Sequence, residues 1–340
     1  MPKVEITKSY YTTNNADFQA WCQALEAAIL AVGLVQVPQT GEANLATITR
    51  PTALGQLIGW RCYAFNDALQ ATAPVYIKVF FGSSQSAPSA LTSGNSYGLF
   101  NTFWFVCTGL DGSGNIVGKT SYTRALSYNC DASCSTNTIA SADQANSHLV
   151  SGDINRFAII MGQNSDHNAN IDCYGGGVTA ENTANNIAAK TSFFLVERTK
   201  DTNGDDTDEG IIIMSMGHPT PNGGYNLKWH YSKFIPTYRV NSYDQFFINC
   251  CYPGDTNRNT TLNGLQISAF PFYPMEGGKI HNPPIGIIGG LPNDFVWAGA
   301  TPSTVKIYDQ DRQYRIISAK MPVVVGRLYT SSKLMILWED

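Results

Sequence analysis

Residues 59–82 read GWRCYAFNDALQATAPVYIKVFFG, and they set the fold class. From Trp60 to Phe65, bulky side chains alternate with polar or small ones. From Val75 to Phe81 the alternation returns around Lys78. A period of two puts successive side chains on opposite faces, so each run is a strand with one buried face. Between them, Asn66-Asp67 and Thr72-Ala73-Pro74 supply turn chemistry, and Pro74 precedes the second strand, where its missing N–H breaks no ladder bond. The stretch predicts an antiparallel pair joined by a long, ordered loop, FNDALQATAP.

Working back towards the N-terminus, Phe18, Trp21, Cys22, Leu25, Ala28, Ile29 and Val32 recur at helical spacing. They predict an amphipathic helix capped by Asn14 or Asn15 and stopped by Gly33, with its apolar face on the sheet that follows. Leu34–Val37 reads as a short strand and 41–55 as a loop. Working forward, Leu99–Thr108 is a mostly apolar strand, and Asp111-Gly112-Ser113-Gly114-Asn115 turns the chain back to Ile116-Val117 and a strand over Thr120–Tyr128. Residues 129–151 are polar and read as loop. Arg156–Met161 reads as a buried strand, and Thr183–Ala189 as a short helix. Ser192–Thr199 and Gly210–Met216 form the clearest hairpin.

Past residue 217 the texture changes: eleven of the 16 prolines lie there, among dense aromatics. Short strands are expected at Asn226–Phe234, Gln245–Cys251, Val305–Tyr308, Tyr314–Ile317, Val323–Tyr329 and Leu334–Trp338. So much proline predicts little regular sheet, and extended segments lying on a scaffold. The expectation is therefore an α+β, mainly antiparallel β (sandwich-like) protein with one N-terminal amphipathic helix. Residues 1–216 make the helix-plus-β core domain, and 217–340 a Pro/aromatic-rich β region that makes assembly contacts.

Composition removes several function classes. Charged residues are only 14% of the 340, with a formal net charge of −4 and no basic cluster, which argues against a phosphate-tracking nucleic-acid binder. No window is long and apolar enough to span a membrane, and the first residues lack the apolar core of a signal peptide. Low charge with many small polar residues fits a β-rich protein buried in an assembly, and also a secreted lectin-like domain.

Candidate chemistry is sparse. Of the eight cysteines, Cys22 and Cys62 lie in apolar patterns and read as buried thiols. Cys130, Cys134 and Cys173 lie in polar loops and are the candidate disulfide cysteines, should the protein reach an oxidising medium. No second ligand pair completes a zinc site. The segment Asp201–Glu209 begins like an EF-hand loop, but Asp206 stands where glycine is required and Ile212 where glutamate is. It reads as a solvated hairpin tip ahead of a weak calcium site. Most histidines fall in polar loops; His167, with Asp166, Asp172 and Cys173 nearby, is the closest to a site and reads as a surface residue. Carboxylates for glycoside cleavage could be drawn from Asp143, Asp153, Asp166, Asp172 or Glu181, with no motif to choose among them. Gly175-Gly176-Gly177 lacks the lysine of a phosphate loop, and Cys250-Cys251 reads as a strand-end thiol pair. Trp229, Tyr231, Phe234, Phe270, Phe272 and Tyr273 are candidate interface aromatics, set against an aromatic core and a sugar platform.

The order of the helix, Ala31-Val32-Gly33-Leu34-Val35-Gln36, a loop, and then Trp60 through Lys78 resembles a family of structural proteins of tailed bacteriophages and prophages. Phe194-Leu195-Val196-Glu197-Arg198-Thr199 with its acidic return is similar to a phrase of the same family. The resemblance covers about residues 15–216 and is most specific in FNDALQATAP. It implies a virion component of the tail, baseplate or neck, assembled in the host cytoplasm, whose partners are copies of itself and other virion proteins. It implies no catalytic residue; no metal or cofactor is expected, and the charge and hydropathy pattern above gives no expectation of nucleic acid or membrane as a partner. The alternative is a host-surface receptor-binding module of tail-fibre or lectin-like type, with a surface glycan as partner. A cell-wall hydrolase ranks last.

Overall fold

Asn14 has extended backbone, and its side-chain oxygen accepts the Asp17 N–H at 2.8 Å, so the chain turns into a helix at the next residue. This computed structural model describes residues 1–6, 14–50, 56–83, 102–123, 146–163, 192–198, 211–216, 229–232, 259–262, 265–271, 285–289, 303–307, 310–316 and 333–339. The strand β1 (Lys3–Ile6) precedes α1 (Asn15–Ala31). The helix buries the face expected of it: Phe18, Trp21, Cys22, Leu25, Ala28 and Ile29. Gly33 ends the helical course with a φ of 118°, and a Cβ there would stand 2.8 Å from the Asp153 carbonyl carbon. It serves both the left-handed turn and the close approach of a second segment.

Residues 59–82 form the expected antiparallel pair. The strands β2 (Val35–Gln36), β3 (Gln56–Ala64), β4 (Tyr76–Ser83), β5 (Thr102–Leu110) and β6 (Ile116–Thr123) make one sheet in chain order, every neighbour antiparallel. Cys62 lies opposite Lys78, and Lys78 opposite Phe105. The ladder continues through Ile116 rather than starting at Thr120, with an irregularity between Cys107 and Gly109.

A second antiparallel sheet has the order β1-β7-β8-β9-β10-β11, from β7 (Asn146–Asp153), β8 (Arg156–Gln163), β9 (Ser192–Arg198), β10 (Ile211–Met216) and β11 (Trp229–Ser232). The hairpin expected from 192–216 is the β9–β10 pair. By contrast, β7 corrects the loop reading at 146–151, while 129–145 lie outside the described residues. Its polar residues His148 and Ser151 are fully buried, and the ladder to β1 and β8 supplies their backbone hydrogen bonds.

One apolar core joins these parts. Trp21 of the helix, Ile77, Val79, Phe81 and Trp104 of the first sheet, and Val150, Phe157, Ile159, Phe194 and Val196 of the second all belong to it. Trp104 stacks on Phe157 and Phe194 at centroid distances of 5.4 and 5.1 Å, contacts worth about 0.5–1.5 kcal/mol each beyond area burial.

In the last third, β12 (Asn259–Leu262), β13 (Leu265–Pro271), β14 (Ile285–Gly289), β15 (Ser303–Ile307), β16 (Gln310–Ile316) and β17 (Lys333–Leu337) close into an antiparallel barrel ordered β12-β13-β14-β17-β16-β15. Pairing of Leu262 with Val305 completes it. The expectation of little regular sheet past 217 is thus corrected. Proline is tolerated because Pro271 ends its strand rather than interrupting it. The described residues are α+β and mainly antiparallel β, with one α-helix among them. The segments 183–189, 245–251 and 323–329 lie outside them.

Candidate functional site

The loop between β3 and β4 is ordered by its own side chains. Asp67 leads into a 3-10 turn, Ala68–Ala71. The Leu69 carbonyl then accepts from the Thr72 and Ala73 N–H groups at 3.0 and 2.8 Å, and Gln70 Oε1 accepts the Val75 N–H at 3.0 Å. This accounts for the DALQATAP spelling: small residues for the tight turn, and one amide to satisfy the strand entry.

The same loop locks onto the second sheet. Arg198, at the end of β9, makes a two-pronged ion pair with Asp67 and donates from Nη1 to the Ala73 carbonyl at 2.8 Å. Its guanidinium also lies over the Phe65 ring, 5.6 Å from the centroid. The two charged side chains are only 5% and 8% exposed. The Asn66 N–H donates to the Ile154 carbonyl at 2.8 Å, and Arg198 N–H to that of Asn155 at 3.0 Å. Helix end, β7–β8 turn, FNDALQATAP loop and β9 therefore converge on one junction.

On the other face of the first sheet, Lys78 is 5% exposed. Its ammonium donates to the Gly114 carbonyl at 2.6 Å and lies 4.0 Å from the Trp60 ring centroid and 4.5 Å from that of Phe80. Desolvation by burial is the main cause that lowers its pKa. Burial pushes the Cys62 and Cys107 thiols up to about 12 and about 11, so both are protonated and unreactive at neutral pH. The Asp111 carboxylate shapes the turn above by accepting the Ser113 and Asn115 N–H groups, each at 2.9 Å. Beside it, Arg61 joins Glu26 of the helix at 3.2 Å to Glu42 at 3.0 Å, and Glu42 also accepts the Cys62 N–H.

The second sheet's other face carries Asp153, Arg156 and Glu197. Arg156 Nη2 meets Asp153 Oδ2 at 2.8 Å, whereas Nη1 stands 3.6 Å from Glu197 Oε1. Burial raises the Glu197 carboxyl to about 7, partly offset by Arg156. Nearby, Arg315 of the barrel pairs with Glu5 at 2.8 Å, and Lys3 Nζ donates to the Trp338 carbonyl at 2.9 Å. Chemically, these arrangements bind segments of the chain to each other.

Of the residues singled out from the sequence, Trp229 and Tyr231 stand on β11 opposite Met216 and Met214, while Phe270 stands on β13 opposite Ile287. The fold places them in two different sheets. Phe234, Phe272, Tyr273, Cys130, Cys134, Cys173, Gly175–Gly177, Cys250, Cys251, His167 and the Asp201–Glu209 loop lie outside the described residues, as do Asp143, Asp166, Asp172 and Glu181. Cys22, Cys62 and Cys107 are buried free thiols. His148 is buried in β7 rather than in a polar loop, edge-on to Trp21 at 5.8 Å, and burial lowers its pKa to about 3. Among the described residues no three His, Cys, Asp or Glu side chains gather as a metal site, and no helix is long and apolar enough to cross a membrane.

Sequence reasoning placed Asp67 in a turn and Arg156, Glu197 and Arg198 on strands, and assigned none of them an ionic partner. Their signal was present: a Glu-Arg pair ending an otherwise apolar strand needs partners for both charges. The chain matches no protein-family model, no curated protein and no solved structure.

Proposed function

We propose that the chain is a structural building block of a tailed-phage virion, in the tail, baseplate or neck, acting through subunit contacts rather than catalysis. One observation supports this most: the FNDALQATAP stretch, which carries the phage resemblance, spends its polar groups on an internal lock to Arg198 and the β7–β8 turn. A segment so used is scaffold. In this reading the helix and the two sheets form a sandwich-like core from residues 1–216, to which the later strand β11 adds an edge. The Pro/aromatic-rich region 217–340 contacts neighbouring copies and other virion proteins, with assembly in the host cytoplasm.

Immunogold electron microscopy of intact particles, with serum against residues 217–340, tests the proposal alongside mass spectrometry of purified particles. Label at tail, baseplate or neck supports it. Label confined to fibre tips, with glycan binding by the isolated chain, replaces it with the receptor-binding reading. Absence of the chain from purified particles overturns both.

A further inference from the structure

The strand β1 reads Lys3-Val4-Glu5-Ile6, and the alternation gives it two faces. Ile6 belongs to the shared core and Val4 packs against it. Lys3 and Glu5 therefore stand on the opposite face, with Ser151 and Leu149 of β7 directly across from them. That face meets the barrel. Lys3 Nζ donates to the Trp338 carbonyl at 2.9 Å, and Glu5 pairs with Arg315 of β16 at 2.8 Å. The Arg315 guanidinium also lies 5.6 Å from the Trp338 ring centroid. Just ahead of the strand, the Met1 nitrogen donates to the Glu339 carbonyl at 2.8 Å. A strand of four residues thus turns its apolar side chains to the core and its charged ones to the barrel.

The barrel is built as a body of its own. Its strands close on one another, and among the described residues no ladder passes from them to either sheet. Tyr314, Ile336, Leu337 and Trp338 are buried, yet they stand outside the core that joins helix and sheets. Since β17 packs against β7, the two bodies touch without sharing a sheet. Contacts of this kind leave relative motion open, as at interfaces between domains. The two ends of the connection differ in strength. On the sheet side, β1 is held by an antiparallel ladder to β7, and the Pro2 carbonyl accepts the Gly152 N–H at 3.1 Å. On the barrel side the Glu5–Arg315 pair is 30% and 13% exposed. An ion pair that water reaches yields before a ladder does.

We propose that the barrel is a separately docked body and that β1 is the strap that latches it to the second sheet. Lys3 and Glu5 hold the barrel in place, and their release lets it swing away while the helix and both sheets stay folded. This stands independently of the virion assignment. The chain then has two arrangements that share every strand pairing, and salt favours the open one by screening Glu5 from Arg315. Opening uncovers Trp338, 8% exposed when docked, and Leu149, which lies across from Glu5 on the same face of the sheet.

Hydroxyl-radical labelling of the purified full chain, read residue by residue in a mass spectrometer, tests the strap. Glu5→Arg sets two like charges against each other and should raise labelling of Trp338 and Leu149 roughly fivefold. Trp21 and Trp104, fully buried in the shared core, should stay at the wild-type level. Glu5→Arg combined with Arg315→Glu restores an opposite pair and should return both sites to wild-type labelling. Where Glu5→Arg unfolds the whole chain, seen as a rise at Trp21 and Trp104, Glu5→Gln removes the charge alone and should raise Trp338 and Leu149 about twofold. Labelling of Trp338 and Leu149 that is unchanged in both single variants, or that rises only in step with Trp21 and Trp104, overturns the proposal. So does a combined variant that stays as exposed as Glu5→Arg.

Discussion

Two arginines on neighbouring strands of one sheet are built into opposite situations. Arg198 has one carboxylate, Asp67, which it grips with two prongs, plus a carbonyl for a further N–H. Arg156 has two carboxylates and a close bond to only one of them. The first arrangement is neutral as a pair and fully hydrogen-bonded. In the second, Asp153 takes the close hydrogen bond and burial, partly offset by Arg156, raises the Glu197 carboxyl to about 7. Two buried arginines of one sheet thus differ in how closely their carboxylates approach, 3.2 Å or less for both prongs at Asp67 against 3.6 Å at Glu197.

The largest expected effect breaks the lock. Asp67→Ala strands the Arg198 guanidinium in a site where it is 5% exposed, and should cost about 3–5 kcal/mol in guanidinium chloride unfolding. Pairing it with Arg198→Met should recover much of that loss. If Asp67→Ala costs as little as a surface mutation, the junction does not hold the sheets. Next comes the acid limb. His148 stays neutral in the fold down to about 3, so its contribution is present above about 6.5 and lost as pH falls. His148→Phe should remove about 3 kcal/mol of destabilisation between pH 6.5 and pH 4, read from denaturant midpoints at each pH.

Glu197→Gln sharpens the contrast from the alkaline side. With the folded carboxyl near 7, the variant should gain about 2 kcal/mol on the wild type between pH 5 and pH 8. The smallest effect lies at the helix start, outside both arginine sites. Asn14→Ala removes the bond to the Asp17 N–H and should cost about 1 kcal/mol at every pH in the same measurements. A pH-dependent cost there would show that the helix end is coupled to one of the buried titrating groups, His148 or Glu197.

Much of the scaffold was legible because it rests on periodicity. The helix from Asn15 and the pair around 59–82 repeat their apolar residues at the spacing of their structure, and the β9–β10 hairpin is two short apolar runs either side of a polar return. The strand β7 was not legible, since Asn146, Ser147 and His148 spell a loop and become strand only between β1 and β8. The barrel was masked by prolines whose harmlessness depends on strand position, as at Pro271. Asp67 and Arg198 lie 131 residues apart, and no local pattern announces that two charges so far separated will meet.

The sequence by itself determined the helix and its buried face, the strand pair at 59–82 and the mainly antiparallel class, because these follow from local spacing and turn chemistry. Tertiary structure alone decided that FNDALQATAP locks to Arg198, that His148 is interior, and that Glu197 must share Arg156 with Asp153. The physical reason is that desolvation and charge pairing depend on what long-range packing brings within a few ångströms, and the order of residues along the chain does not encode that distance directly.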